Sequence, residues 1–170
     1  MQPEAVAAEL LDHVDAGDRV IGRVTRGEIH ARGLRHRAVH IVVTNPSGAL
    51  FVQRRSLLKD CAPGLWDSSA AGHVDAGEDY DTAAARELDE ELGLAAIELS
   101  YRGQLAASAA TGFEFVRYYT ACTSRVPLPD PAEIMDSGWF SPTELGNWQR
   151  HQPEAFTATF RHIFSTLYPH

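Results

Sequence analysis

Cysteine, long apolar runs and excess positive charge are what this chain has least of. Its 170 residues include two cysteines, Cys61 and Cys122, in separate segments and without metal-knuckle spacing. A disulfide framework is therefore the weaker reading, and reduced, packed thiols in a cytoplasmic protein are expected. No stretch approaches the ~18 consecutive apolar residues of a membrane-spanning helix. The first residues, MQPEAVAAELLDH, carry no basic segment ahead of an apolar one, so no secretory leader and no membrane partner are expected. Lys and Arg number 15 against 23 Asp and Glu, a net charge of −8, which argues against nucleic-acid binding through phosphate contacts. A nucleotide as small-molecule substrate stays open, because a bound metal and a few local cations can handle its phosphates. Internal repeats and low-complexity tracts are also lacking, which leaves a globular composition of 44% hydrophobic and 22% charged residues. That is enough for one domain with a full core across residues 1–170.

Turn and capping residues divide the chain. Leu10–Asp15 and Arg19–Thr25 read as two strands joined at Asp15-Ala16-Gly17-Asp18, a hairpin signal. Thr25 and Glu28 have capping-box spacing for a short helix over 26–32, ended by Gly33. Ala38–Thr44 and Ala49–Arg54 are strands around an Asn45-Pro46-Ser47-Gly48 turn, and 56–67, with Pro63-Gly64, is loop. Ser68–Val74 is a strand, as are 96–106 and 113–122. Pro127, Pro129 and Pro131 make a rigid connector. Trp139-Phe140 closes a short strand, and Ser141-Pro142 starts a short helix with proline at its first position. Phe156, Phe160, Ile163, Phe164 and Leu167 recur at helical spacing and place an amphipathic helix over Pro153–Tyr168. Strands and helices mix without regular βαβ alternation, so the expectation is an α+β fold with a mixed sheet. The hairpin and short helix (1–35) and the terminal helix (150–170) would pack on that sheet.

The densest information lies in residues 72–94, GHVDAGEDYDTAAARELDEELGL. Asp79 is a candidate N-cap, Asp81 adds first-turn negative charge, Ala83-Ala84-Ala85 are strong helix formers, and Gly93 is the natural terminator. On that helix Glu87, Glu90 and Glu91 stand at i, i+3 and i+4 on one side, with Ala85, Leu88 and Leu92 on the neighbouring core-facing stripe. Clustered carboxylates repel one another, and a hard divalent cation reverses the sign because oxygen donors are its preferred ligands. A metal held by Glu87, Glu90 and Glu91 would clamp diphosphate oxygens and polarise water, leaving a carboxylate to take the proton. Arg86 would orient Glu87 or pair with Glu90. A solvated acidic helix face is the alternative.

Gly72, Glu78 after five intervening residues, and Arg86-Glu87-Leu88-Asp89-Glu90-Glu91-Leu92-Gly93-Leu94 after seven more resemble the Nudix box without a departure. The resemblance implies an α/β/α sandwich and hydrolysis of a nucleoside diphosphate linked to a variable group, with magnesium, or manganese in its place, as cofactor. Leu34-Arg35-His36-Arg37-Ala38, Gln53-Arg54-Arg55, Lys59, Pro63-Gly64 and Trp66 are similar to the isopentenyl-diphosphate isomerase-like branch. True isomerases carry a catalytic cysteine where this chain has Ala71, and alanine cannot move a proton at an allylic carbon. The intact box and Ala71 together point to a hydrolase. An isomerase is the second reading, and a binding module without turnover the third.

The same resemblance assigns candidates outside the helix. Ala71, preceding the box glycine, would offer its carbonyl to metal. Glu114 or Glu133 would supply a further carboxylate as ligand or base, and Glu78 would support Arg86 or touch metal. His36 and His73 match metal-binding positions of the isomerases; as substrate neighbours they join Arg54, Arg55 and Lys59, whose charge suits phosphate. Trp66 would stack on a base or pack in the core.

Overall fold

The computed structural model describes residues 8–169; Met1–Ala7 and His170 lie outside the described residues. β1 (Leu10–Val14) and β2 (Val20–Thr25) form the expected antiparallel hairpin. Thr25 caps α1 (Arg26–Arg32) by accepting from the Glu28 N–H, and Gly33 ends it in the left-handed region, φ 62°. Glu28 does not close the box; its carboxylate accepts from Arg32 one turn on, at 2.7 Å.

β3 (His36–Thr44), β4 (Leu50–Arg55), β5 (Trp66–Asp67), β6 (Ala70–His73), β7 (Ser100–Leu105), β8 (Glu114–Cys122) and β9 (Ile134–Phe140) make one seven-stranded sheet. Its path runs β5-β4-β3-β8-β7, with β6 also paired to β3 and β9 to β4. β3 and β8 run parallel while the other pairs are antiparallel, so the sheet is mixed. β3 is longer than its apolar run, because His36 and Arg37 pair in register with Glu114 and Phe115.

Period-2 alternation sends Val39, Ile41 and Val43 to one face and Ala38 and Val42 to the other. The first face packs on α2 (Tyr80–Leu92) through Ala83, Ala84, Leu88 and Leu92. The second packs on α3 (Pro142–His151) and α4 (Ala158–Leu167) through Leu145, Phe160, Ile163 and Phe164. This is the α/β/α sandwich. Fully burying one such side chain contributes roughly 1.5–3 kcal/mol, and the two clusters explain why both layers stay on the sheet.

Further expectations need correction, among them the 56–67 loop, whose last two residues are β5. Ala85 is exposed, and Ala83 and Ala84 take its place against the sheet. The terminal helix starts at Ala158, not Pro153, because Thr157 caps it by accepting from Phe160 N–H at 3.2 Å. Phe156 is buried ahead of that cap rather than on the helix. Both cysteines are free, yet neither is packed; each is exposed. No helix among the described residues is long and apolar enough to cross a membrane.

Candidate active site

The strand β6 and the helix α2 meet at a glycine. A Cβ built on Gly72 would lie 2.2 Å from Cδ of Glu87, so the Glu87 carboxylate occupies the volume a side chain would need. One turn on, Glu91 is 5% exposed and accepts from the Ala71 N–H at 3.1 Å and from Gln53 Nε2 at 3.1 Å. Gln53 also donates to the Ser69 carbonyl, which fixes its amide. Burial pushes the Glu87 carboxyl up to about 7, with Arg86 pulling the other way and Glu90 adding to the rise. Burial, and then the charge of Glu87, pushes Glu91 up to about 8. Both shifts have the same cause, removal of a carboxylate from water beside another negative charge.

Arg86 is the centre of the surrounding network. Its Nε and Nη2 donate to the two oxygens of Glu78, both at 2.9 Å, a bidentate pair. Nη1 donates to Glu87 at 2.8 Å and to Glu90 at 3.2 Å, and Nη2 also reaches the His73 carbonyl at 3.0 Å. Arg86 thus contacts both Glu87 and Glu90, and Glu78 supports it. Glu90 is the outermost of the three glutamates: its side chain is 59% exposed, and it stays beside Glu87 through the shared Arg86 Nη1. The hairpin holds the loop in front of α2: Asp12, 5% exposed, accepts from Gly77 N–H at 3.0 Å, and Ala76 N–H donates to the Leu10 carbonyl.

His73 follows Gly72 and so turns to the opposite face, where it meets His36, Glu114 and His30. Ring centroids lie 5.0 Å apart for His36 and His73, 5.7 Å for His30 and His36, and 5.4 Å for His30 and His73. Glu114 Oε1 is 3.3 Å from His73 Nε2 and 3.5 Å from His36 Nε2. Burial pushes His73 down to about 4, against the Glu114 hydrogen bond, so its ring is neutral at physiological pH. Burial opposes ionisation of Glu114, but its contacts with the His36 and His73 rings outweigh it and hold the carboxyl well below the usual range. The ligand atoms of His30, His36 and His73 lie within 4.8 Å of one another, so this group could hold a metal. Glu114 therefore sits with the histidines, across the sheet from Glu87.

The remaining candidates are engaged around the loop at 56–65. Arg54 Nε donates to the Gly64 carbonyl at 2.8 Å, and Arg55 donates to the Cys61 carbonyl at 3.0 Å and to buried Asp67 at 3.3 Å. Lys59 pairs with Glu133, whose backbone carbonyl also accepts from Ser56 N–H. Trp66 packs edge-on against Phe140 and Trp148 in the core under α3, so the packing reading holds and base stacking does not. Two residues have a place at the site that the sequence reading did not give them. Gln53 had a signal, a polar residue at an inward position of an apolar strand; His30 had none, since only the fold brings α1 over His36 and His73.

The model of the NUDIX domain matches residues 34–161. The chain belongs to the Nudix family. An uncharacterised Nudix hydrolase of Streptomyces coelicolor is 51% identical over 87 residues, covering 51% of this chain and 48% of the relative, about half its length. The isopentenyl-diphosphate Delta-isomerase of Rhodobacter capsulatus is 37% identical over 145 residues, covering 81% of this chain and 82% of that protein. Among solved structures, a Deinococcus radiodurans protein superposes with a TM-score of 0.83 at 28% identity, covering 94% of this chain and 99% of its own. Nudix membership and the isomerase-like branch thus both stand, and the Nudix fold agrees with the α+β reading.

Proposed function

We propose that this Nudix protein is a magnesium-dependent hydrolase that cleaves a phosphoanhydride bond in a nucleoside di- or triphosphate or a related nucleoside diphosphate derivative. The observation that carries the reading is the buried pair Glu87 and Glu91 packed on Gly72 and Ala71, two carboxylates raised towards neutrality chiefly by burial. That donor set fits a hard divalent cation, with manganese as the alternative to magnesium. Glu87, Glu90 and Glu91 would hold it with the Ala71 carbonyl. A strand residue turns its N–H and C=O to the same edge, and the Ala71 N–H already faces Glu91. Bound there, the cation would neutralise the carboxylates, hold diphosphate oxygens and acidify a water.

The chain's own groups do the rest. Arg86 fixes Glu87 between Gly72 and the helix, so the carboxylate stays within reach of an attacking water rather than swinging to solvent. One of these box carboxylates or an outside glutamate accepts the proton as that water adds to phosphorus. Lys59, whose charge is felt by both glutamates, takes up negative charge on the departing phosphate, with Arg54 and Arg55 as further phosphate partners. His36, His73 and Glu114 border the substrate on the far side of β6.

An isomerase is the second reading, favoured by the histidine group and by the isomerase relative. The residue before Gly72-His73 is alanine, which offers no acid or base, and this counts against it. The test is phosphate and pyrophosphate release from nucleoside di- and triphosphates, nucleotide sugars and isopentenyl diphosphate, with and without magnesium. Metal-dependent turnover of a nucleotide supports the hydrolase; double-bond migration in isopentenyl diphosphate without phosphate release would overturn it.

A further inference from the structure

A second donor group lies on the outer side of His30. Asp60 Oδ2 is 3.5 Å from His30 Nδ1, and Cys61 Sγ is 3.9 Å from the same nitrogen. The three ligand atoms all fall within 4.8 Å of one another. A tetrahedral zinc with bonds of ~2.0–2.1 Å to N or O and ~2.3 Å to S separates its ligand atoms by roughly 3.4–3.6 Å. The two separations from His30, 3.5 and 3.9 Å, are thus close to those of a tetrahedral site, and the third pair lies within 4.8 Å. Each donor is also held from behind. Arg26 Nη2 donates to Asp60 Oδ1 at 2.8 Å and leaves Oδ2 for the site, Arg55 Nε holds the Cys61 carbonyl at 3.0 Å, and His30 is carried by α1. Such outer partners orient ligands and select a geometry.

We propose that His30, Asp60 and Cys61 form a zinc-class metal site that clamps the loop at 56–65 onto α1. Imidazole and thiolate are donors for a borderline-soft d10 cation, and magnesium prefers oxygen alone. Binding replaces the thiol proton: the Cys61 S–H bond breaks, the sulfur pair goes to the metal, and one proton passes to solvent. With three protein donors, the fourth position is left to water. The loop so clamped carries Lys59, so occupancy restrains the residue that pairs with Glu133. The site lies outside the acidic box and shares only His30 with the three-histidine group.

Cobalt(II), added to the whole protein as a zinc probe, tests this by its near-ultraviolet thiolate-to-cobalt charge-transfer band. The wild type should develop the band on cobalt titration and lose it when zinc is added. Cys61→Ser should abolish the band and weaken cobalt binding by about 10-fold or more, and His30→Ala should do the same. Cys122→Ser and His73→Ala should keep it, the first excluding the other thiol and the second excluding the histidine group. Cobalt binding to the wild type without a thiolate band would overturn the proposal, as would a band that survives Cys61→Ser. Because no turnover is measured, failure here is distinct from failure of the hydrolase reading.

Discussion

The carboxylate of Glu87 sits where a Gly72 side chain would be, 2.2 Å from an idealised Cβ. Gly72 is therefore present for space and not for a turn; its φ is not in the left-handed region, in contrast to Gly77 and Gly93. Gly72→Ala should drive the Glu87 side chain off its Arg86 contact while the strand pairing with Val39 persists. Displacing a reacting group by about 1 Å lowers rates on the order of 100-fold. Turnover of the variant should fall by that order, with an unchanged circular dichroism spectrum. Full activity would show that Glu87 does not act from this position.

Arg86 joins Glu78, Glu87, Glu90 and the His73 carbonyl. Arg86→Ala should lower unfolding free energy by about 1–3 kcal/mol, since charge-assisted hydrogen bonds contribute ~1.5–3 kcal/mol each and the partly exposed partners can turn to water. Arg86→Lys should recover little, because an ammonium cannot reproduce the fork that meets both oxygens of Glu78. Urea titration reads both.

Lys59 separates stability from activity. Its pair with Glu133 is partly exposed, 22% for the lysine and 39% for the glutamate, and such pairs contribute ~0–1 kcal/mol. Lys59→Ala should leave the melting temperature nearly unchanged while kcat/KM falls by roughly 10-fold, the value of one charge-assisted contact to phosphate. Equal losses in stability and activity would make Lys59 a structural residue only.

The pH dependence has a sign. Glu87 and Glu91 are raised to about 7 and about 8 from 4.5, so the metal-free fold binds more protons than the unfolded chain between those values. The stability this contributes is complete below pH 4.5 and is lost as pH rises through 7 to 8. His73, lowered from 6.5 to about 4, acts oppositely, but only below 6.5. Between pH 6.5 and 8 the glutamates therefore dominate this group. Thermal stability without divalent cations should fall across that window, and saturating magnesium should flatten the fall. A rise with pH in the absence of metal would contradict the burial of the pair.

Much of this was legible beforehand for a physical reason: caps and box residues act locally. Asp79 does cap α2, accepting from Thr82 N–H at 2.7 Å, and Gly93 does end it at φ 64°. Ser141 and Glu144 exchange both capping hydrogen bonds. What the pattern missed depends on partners far along the chain. His36 and Arg37 become strand because β8 runs beside them, Gln53 is tied to Glu91, and His30 is brought to His73 by α1. Arg54, Arg55 and Lys59 read as phosphate cations from their charge and the resemblance, and only the fold reveals that they also hold the loop at 56–65.

The most direct measurement of the central claim compares wild type and Glu91→Gln for magnesium binding by calorimetry and for magnesium-dependent phosphate release from the best nucleotide substrate. Glutamine keeps the shape and can still accept from the Ala71 N–H, but removes the charge. The account predicts a folded variant with weakened magnesium binding and nearly all turnover lost. Normal turnover by Glu91→Gln at the same magnesium concentration would contradict it.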